Sequence, residues 1–502
     1  MADARDTQDA RNPRRGRSSQ APRQRARRGD GARTAAWHLL AAVDEGAYAN
    51  LELPHVLRRF RLSGRDAAFA TELAFGTVRQ QGLYDLVIAR ATGRDVETLD
   101  PELLRTLRLG AHQALSMRVP AHAAADQTVA LARWANGAGP AKLVNAAMHR
   151  MTEKDRDTWV AEVTEGLQGP ELLAARHSHP SWVVRALMAG LVDRGRPTDE
   201  VEALLESHNT AALVSLVARP GWVDVAELVE HEAVEEGRWA PTAATLVEGA
   251  PAAVPAVEEG RAGVQDEGSQ LAALALAGAP TQGQDTGLWL DLCAGPGGKA
   301  ALLAATAHQQ GARIVANELH PHRAELVRRT LAPADLPEGA APAAEVTVGD
   351  GAELAAQRPG AFDRVLVDVP CTGLGALRRR PEARWRRQPA DLASLAPTQR
   401  SLLHAALDAV RPGGVVAYVT CSPHPAETSV VVDDVIARRD DAELVEVAPV
   451  LREVAPATAS AELDGVEGAR GARATSVQLW PHVHGTDAMY IALLRRTPQE
   501  NA

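Results

Sequence analysis

The chain has 502 residues, 45% of them hydrophobic and 24% charged, with a net charge of −10. That balance is ordinary for a globular protein and argues against a general polyanion binder, while the length calls for roughly three domains rather than a single core. No apolar run reaches the ~18 residues a membrane helix needs, and the charged first residues do not form a secretory signal, so a cytoplasmic location without a membrane partner is expected. Only three cysteines occur, Cys293, Cys371 and Cys421. So sparse and odd a set argues against a disulfide framework and fits a reducing compartment. The pairs His320/His322 and His482/His484 lack further clustered ligands, so no metal is expected.

In chain order, residues 1–33 carry ten Arg against four Asp among Ser, Gln, Pro and Gly. They cannot build a core and are expected to be a disordered Arg-rich tail, at most an arm that touches phosphates without specificity. Residues 34–173 read as an all-α bundle. Leu53, Val56, Leu57 and Phe60 repeat at the spacing of one helix face, as do Leu104, Leu107, Ala111 and Leu115 after the helix start Asp100-Pro101-Glu102. Leu143, Val144, Ala147 and Met148 form another stripe. Residues 174–258 alternate helical and strand-like pieces, such as Ala211–Val217, and read as a small α+β module ending in an Ala/Pro/Glu-rich connector.

From residue 259 to 502 the pattern becomes strand, loop, helix, which predicts an α/β domain with a doubly wound, mainly parallel sheet. Gly287–Asp291 is a strand, Leu292–Lys299 a glycine-rich turn and Ala300–Gln309 a helix. Arg313–Glu318 is the second strand, and Glu345–Val348 leads to Gly349-Asp350-Gly351. The aliphatic run Val365-Leu366-Val367 stops at Asp368-Val369-Pro370-Cys371-Thr372-Gly373. A helix over Pro397–Val410 and the break Pro412-Gly413-Gly414 precede a strand Val415–Val419 and then Thr420-Cys421-Ser422. Residues 455–475 read as an inserted loop of low complexity.

Ligands bind at the carboxyl ends of strands in open α/β sheets. The turn Cys293, Ala294, Gly295, Pro296, Gly297, Gly298 and Lys299 lets backbone approach a ligand and opens a helix N-terminus toward it. An acid ending the second strand, Glu318, suits ribose hydroxyls, and Asp350 suits an adenine edge. A nicotinamide enzyme is the rival reading, but its G-x-G-x-x-G fingerprint is absent. The set better suits a nucleoside without pyrophosphate, namely S-adenosylmethionine.

Cysteines and an aspartate at neighbouring strand ends suggest covalent catalysis on an electron-poor ring. A thiolate added to C6 of cytosine, with a carboxyl group hydrogen-bonded to N3, makes C5 nucleophilic enough to take a sulfonium methyl. Asp368 can be that acid. Spacing leaves Cys371 and Cys421 both eligible as nucleophile, and Cys293 is expected to serve packing. The run Arg378–Arg387, with six arginines and Trp385, is expected to grip RNA phosphates and stack a base.

With these motifs, residues 259–502 resemble the RNA cytosine-C5 methyltransferases. The resemblance rests on Gln265–Gln270, Asp291–Lys299, Asp368–Gly375, Val419–Pro425 and His484–Tyr490. The helical part, through Ala47–Leu51 and Ser63–Asp66, is similar to a NusB-like RNA-binding domain. The fusion resembles the RsmB (Sun/Fmu) group, which methylates a cytosine of bacterial 16S rRNA at C5. The resemblance implies a Rossmann-like S-adenosylmethionine-dependent methyltransferase domain, preceded by the NusB-like bundle and the small α+β module. It implies that Cys421 is the nucleophile, that Cys371 assists product release, and that residues 293–299, Glu318, Asp350 and Asp368 contact the cofactor. The expected partner is 16S rRNA, unassembled or partly assembled, acted on by a monomer. The same chemistry on tRNA, or an RNA-binding antitermination role without catalysis, are the alternatives. The family usually shows D-A-P-C-S-G and P-E-E-N where this chain has Asp368–Gly373 and Pro425-Ala426-Glu427-Thr428.

Overall fold

The computed structural model describes residues 30–332, 344–463 and 465–498. The expected tail and its arm therefore lie outside the described residues as far as residue 29. Asp30 already caps the first helix, Gly31–Asp44, by accepting the Arg33 N–H at 3.1 Å, so helical structure starts before residue 34.

The chain divides into two compact units, a helical one reaching Trp159 and a larger one that holds residues 160–502 with two short earlier segments. In the helical unit Pro101–Leu115 starts as its sequence dictates. Pro101 occupies the first turn, and Asp100 accepts the N–H groups of Glu102 and Leu103 at 3.0 and 3.2 Å. Its stripe Leu104, Leu107, Ala111 and Leu115 is buried, as are Val144, Ala147 and Met148 on Pro140–Met151. On Ala49–Phe60 only Val56 of the expected four is fully buried.

In the larger unit, helices Gly169–His177, Ser181–Asp193 and Glu200–Asn209 precede a small antiparallel sheet. Its strands are β1 (Val214–Ala218), β2 (Val234–Glu236), β3 (Ala243–Leu246) and β4 (Ala262–Val264), in the order β2-β3-β1-β4. The last of these lies beyond residue 258. His179 and His208, in the helical segment, are fully buried with rings 5.6 Å apart. The Arg384 guanidinium donates to Ser178 O, His208 O and Asn209 Oδ1 beside them. Burial, and then the Arg384 charge, hold both imidazoles well below the ordinary histidine range. The unfolded chain therefore takes up these protons first. Their contribution to stability is complete above a pH of about 6.5 and is lost as the pH falls below it, with a slope of about 1.4 kcal/mol per pH unit for each ring. Urea midpoints should drop from pH 7 to pH 5, and less steeply in His208→Gln.

The main sheet contains β5 (Leu288–Asp291), β6 (Arg313–Glu318), β7 (Ala344–Val348), β8 (Phe362–Asp368), β9 (Val410–Thr420), β10 (Ala442–Val445), β11 (Val477–Gln478) and β12 (Tyr490–Arg496). Their order is β10-β12-β9-β8-β5-β6-β7, with β11 paired to β12. β5 through β9 are parallel neighbours, and β12 runs antiparallel to β9. The strand period of two separates two cores. Trp289, Leu366, Val415, Ala417, Val419 and Ile491 pack with Glu267–Gly278 and Gly298–Gln309. Leu290, Val365, Val367, Val416, Tyr418 and Tyr490 pack with Pro389–Ala409 and Ser429–Ile436. The chain turns from β7 back to β8 across β5, which makes the ends of β5 and β8 the switch point where such sheets bind ligands.

Three local readings are corrected. The helix expected from Pro397 begins at Pro389, because Gln388 and Asp391 form a capping box there, and Pro397 lies inside it. The Pro412-Gly413-Gly414 break is part of β9, where the pairing with β8 shifts register between Phe362 and Arg364. The stretch 455–475 is not a plain inserted loop. It holds the 3-10 turn Pro456–Ser460 and the helix Ala472–Thr475, and it buries Leu463 and Ala472 in the two cores. Among the described residues no helix is long and apolar enough to cross a membrane.

Candidate active site

The glycine-rich turn after β5 is folded onto the end of β6. Gly295 N–H donates to Glu318 Oε2 at 3.1 Å, and Arg323 Nη2 donates to Gly295 O at 2.6 Å. A Cβ at residue 295 would meet the Glu318 carboxylate, so a larger residue there would have to displace that side chain. Glu318 is buried, accepts the His320 N–H at 3.0 Å and lies 3.5 Å from Arg323 Nη1. Asp350 follows β7 as the N-cap of Gly351–Gln357, accepting the Ala352 N–H at 2.7 Å while its carboxylate stays exposed. Asn317 went unnoticed in the sequence. Its Nδ2 donates to Leu292 O and Gly349 O at 3.2 and 3.1 Å, which ties together the turns after β5 and β7. A polar residue directly before the strand-end acid was its one signal.

Asp368, at the end of β8, accepts a hydrogen bond from Lys299 Nζ at 2.8 Å. Burial opposes the lysine charge, but the Asp368 carboxylate outweighs it and raises the Lys299 pKa. Burial, and then the nearby Asp368, push Asp291 up to about 7. The three lysines of the chain are Lys142, Lys154 and Lys299, and that scarcity was the available hint that Lys299 does more than end a loop.

The two motif thiols meet. Cys371 Sγ and Cys421 Sγ are 3.5 Å apart, and both side chains are partly exposed. The contact with Cys421 raises the Cys371 thiol well above the ordinary thiol range, with burial adding to it. The same contact lowers Cys421 against burial and the Asp368 charge, with the positive charges of Arg380 and Lys299 assisting. Cys421 is thus the thiol closer to ionisation. Cys293 packs against the core around Leu290 and Leu292, and burial raises its thiol well above the usual range.

Gly375 passes between the Cys421 turn and residue 488. Its N–H donates to Cys421 O and its carbonyl accepts the Ala488 N–H, both at 2.9 Å. An added Cβ would strike the Ala488 carbonyl and come 2.9 Å from Cys421 O. Gly375→Ala should therefore cost about 1–3 kcal/mol in a denaturation experiment, since backbone has to move.

The arginine run needs correction. Arg378 Nη2 donates to Asp266 Oδ2 at 3.0 Å, and Arg379 forms a two-oxygen pair with buried Asp487. Arg384 is buried against backbone carbonyls, and Arg387 donates to Thr372 O and Cys371 O. Trp385 Nε1 donates to Val78 O at 2.8 Å. These groups hold the fold around the site rather than waiting in solvent for phosphates. Arg380 and Arg386 lie over the half-exposed ring of Tyr48, 5.6 and 5.7 Å from its centroid. Of the histidine pairs, His482 Nε2 lies 3.0 Å from Glu200 and His484 Nδ1 accepts the Trp480 N–H, while His320 and His322 are exposed with their rings stacked at 5.7 Å.

A sheet with a glycine-rich turn after its first parallel strand, acids at successive strand ends and two thiols in contact fits a Rossmann-like methyltransferase domain, here preceded by helices. The profile of the 16S rRNA methyltransferase RsmB/F family matches residues 276–495, and that of the NusB family matches residues 30–153. A Mycobacterium tuberculosis chain named only as a methyltransferase is 47% identical over 481 residues, covering 95% of this chain and 99% of the relative. Ribosomal RNA small subunit methyltransferase B of Vibrio cholerae is 31% identical over 422 residues, covering 82% and 90%. The crystal structure of PH0851 superposes with a TM-score of 0.75 at 21% identity over 93% of this chain and 98% of that one, a likeness of fold. The chain belongs to the RsmB/F family of 16S rRNA methyltransferases.

Proposed function

We propose that this protein transfers a methyl group from S-adenosylmethionine to C5 of a cytosine in 16S rRNA, with Cys421 as the covalent nucleophile. The observation that carries the reading is the thiol pair, with Cys371 and Cys421 3.5 Å apart beside the Asp368–Lys299 pair. The site fits the cofactor. Gly295 allows the turn to close on Glu318, the exposed Asp350 carboxylate is open to an adenine edge, and Asp368 stands between the turn and the thiols. When bound, the cofactor supplies an electrophilic methyl on sulfur.

Cys421 adds its sulfur to C6 while Asp368 donates a proton to N3, which takes up the electron density displaced by the attack. C5 then takes the methyl group as the sulfur–methyl bond breaks. A solvent base takes the C5 proton, the C5–C6 double bond re-forms as the C6–S bond breaks and the Cys421 thiolate leaves, and N3 returns its proton to Asp368. Cys371, within hydrogen-bond distance of that sulfur, assists the release. Lys299 holds Asp368 in place throughout.

Calorimetric titration should show S-adenosylmethionine binding that weakens in Glu318→Ala, with no binding of NAD. Labelled cofactor should mark unmodified 16S rRNA. Label confined to tRNA would overturn the substrate while leaving the chemistry, and no cofactor binding would favour an RNA-binding protein without catalysis.

A further inference from the structure

The mechanism leaves one buried charge unused. Glu427 lies in the 3-10 turn Pro425–Glu427, a short way past Cys421, and is wholly buried. Its Oε1 accepts the Thr372 N–H at 2.8 Å and Gln399 Nε2 at 3.1 Å, and its Oε2 accepts the Thr372 hydroxyl. Gln399 Nε2 also donates to Pro370 O at 3.0 Å, and Tyr418 OH donates to Glu427 O at 2.7 Å. One carboxylate thus ties the proline-cysteine turn after β8 to the threonine-cysteine turn after β9. Among the described residues no lysine, arginine or histidine forms an ion pair with it. A carboxylate buried among neutral donors alone is costly to keep for packing.

The charges around the two thiols are also unequal. Glu427 acts on Cys371 and opposes its ionisation, while Cys421 feels the Asp368 carboxylate together with the opposing charges of Arg380 and Lys299. A carboxylate tied to the turn that carries one thiol of a coupled pair biases which of the two keeps the proton.

We propose that Glu427 is a positioning residue that locks the two cysteine turns in register and keeps Cys371 the protonated member of the pair, so that Cys421 attacks. The inference rests on the reading of Cys421 as nucleophile given above. It also explains why Thr372 works here, since a hydroxyl at that position is what Glu427 Oε2 engages.

The test uses the full chain and three readouts. In Glu427→Gln one charge-assisted hydrogen bond is lost, so kcat for RNA methylation should fall about 10–100-fold with KM for RNA and cofactor nearly unchanged. Alkylation by iodoacetamide, followed over pH by peptide mass spectrometry, needs no RNA. In the wild type Cys421 should be modified before Cys371, and in Glu427→Gln that preference should shrink about tenfold as Cys371 ionises more readily. Glu427→Asp should recover part of both effects. If Glu427→Gln does not fold, Thr372→Val loosens the turn while keeping the carboxylate charge, so kcat should fall about tenfold with the alkylation order kept, and an unchanged kcat or a lost order overturns the inference. An unchanged alkylation order, or a kcat loss that merely follows the folded fraction in a melting curve, overturns the inference. A wild type that methylates no cytosine fails the functional reading instead, and the alkylation order still decides the role of Glu427.

Discussion

Cys421→Ala should abolish methyl transfer, whereas Cys371→Ala should leave RNA covalently attached to the enzyme. The two thiols lie 3.5 Å apart but are not equivalent. Their contact and the charges of Arg380 and Lys299 lower Cys421 against burial and Asp368, while the same contact, burial and Glu427 raise Cys371. Only a thiolate adds to C6, so removing Cys421 removes the first covalent step. Removing Cys371 leaves attack and methylation possible but takes away the group that helps the adduct resolve. A denaturing gel with labelled RNA separates these outcomes. A band of protein-linked RNA with Cys371→Ala and none with Cys421→Ala is expected, and the reverse pattern would exchange the roles.

Asp368→Asn should lower kcat by about 10²–10⁴-fold, the usual contribution of a positioned acid or base. The substitution keeps the shape of the side chain but removes the charge that holds Lys299 Nζ at 2.8 Å and the group that engages N3. Lys299 would then be a buried ammonium without its carboxylate, which is unfavourable, so its amine should titrate at lower pH than in the wild type. Single-turnover methylation against pH measures both effects. A variant with unchanged kcat and an unshifted profile would show that Asp368 has no part in the chemistry.

Much of the site was legible because it is local in sequence. The glycine-rich turn, Glu318, Asp350, Asp368 and both motif cysteines each sit at the end of a hydrophobic strand, and strand ends can be read from pattern alone. The parallel sheet followed from the alternation of strands and helices. What could not be read was the set of partners. Lys299 meets Asp368, Glu427 meets Thr372, and Arg379 meets Asp487 across distant parts of the chain, and such pairings exist only once the sheet has ordered its strands. The arginine run shows the same limit. Composition marks it as basic, but burial of Arg384 and the carboxylates waiting at Asp266 and Asp487 turn most of it inward. The helix at Pro389 was misjudged for a local reason, since Pro397 looked like a start and the capping box lay one turn before any apolar repeat.

The most direct test of the central claim is the identity of the methylated nucleoside. Unmodified 16S rRNA treated with this protein and labelled S-adenosylmethionine, then digested to nucleosides and resolved by mass spectrometry, should yield the label as 5-methylcytidine. Label found as N4-methylcytidine or on the ribose would contradict attack from C5, and with it the covalent role of Cys421.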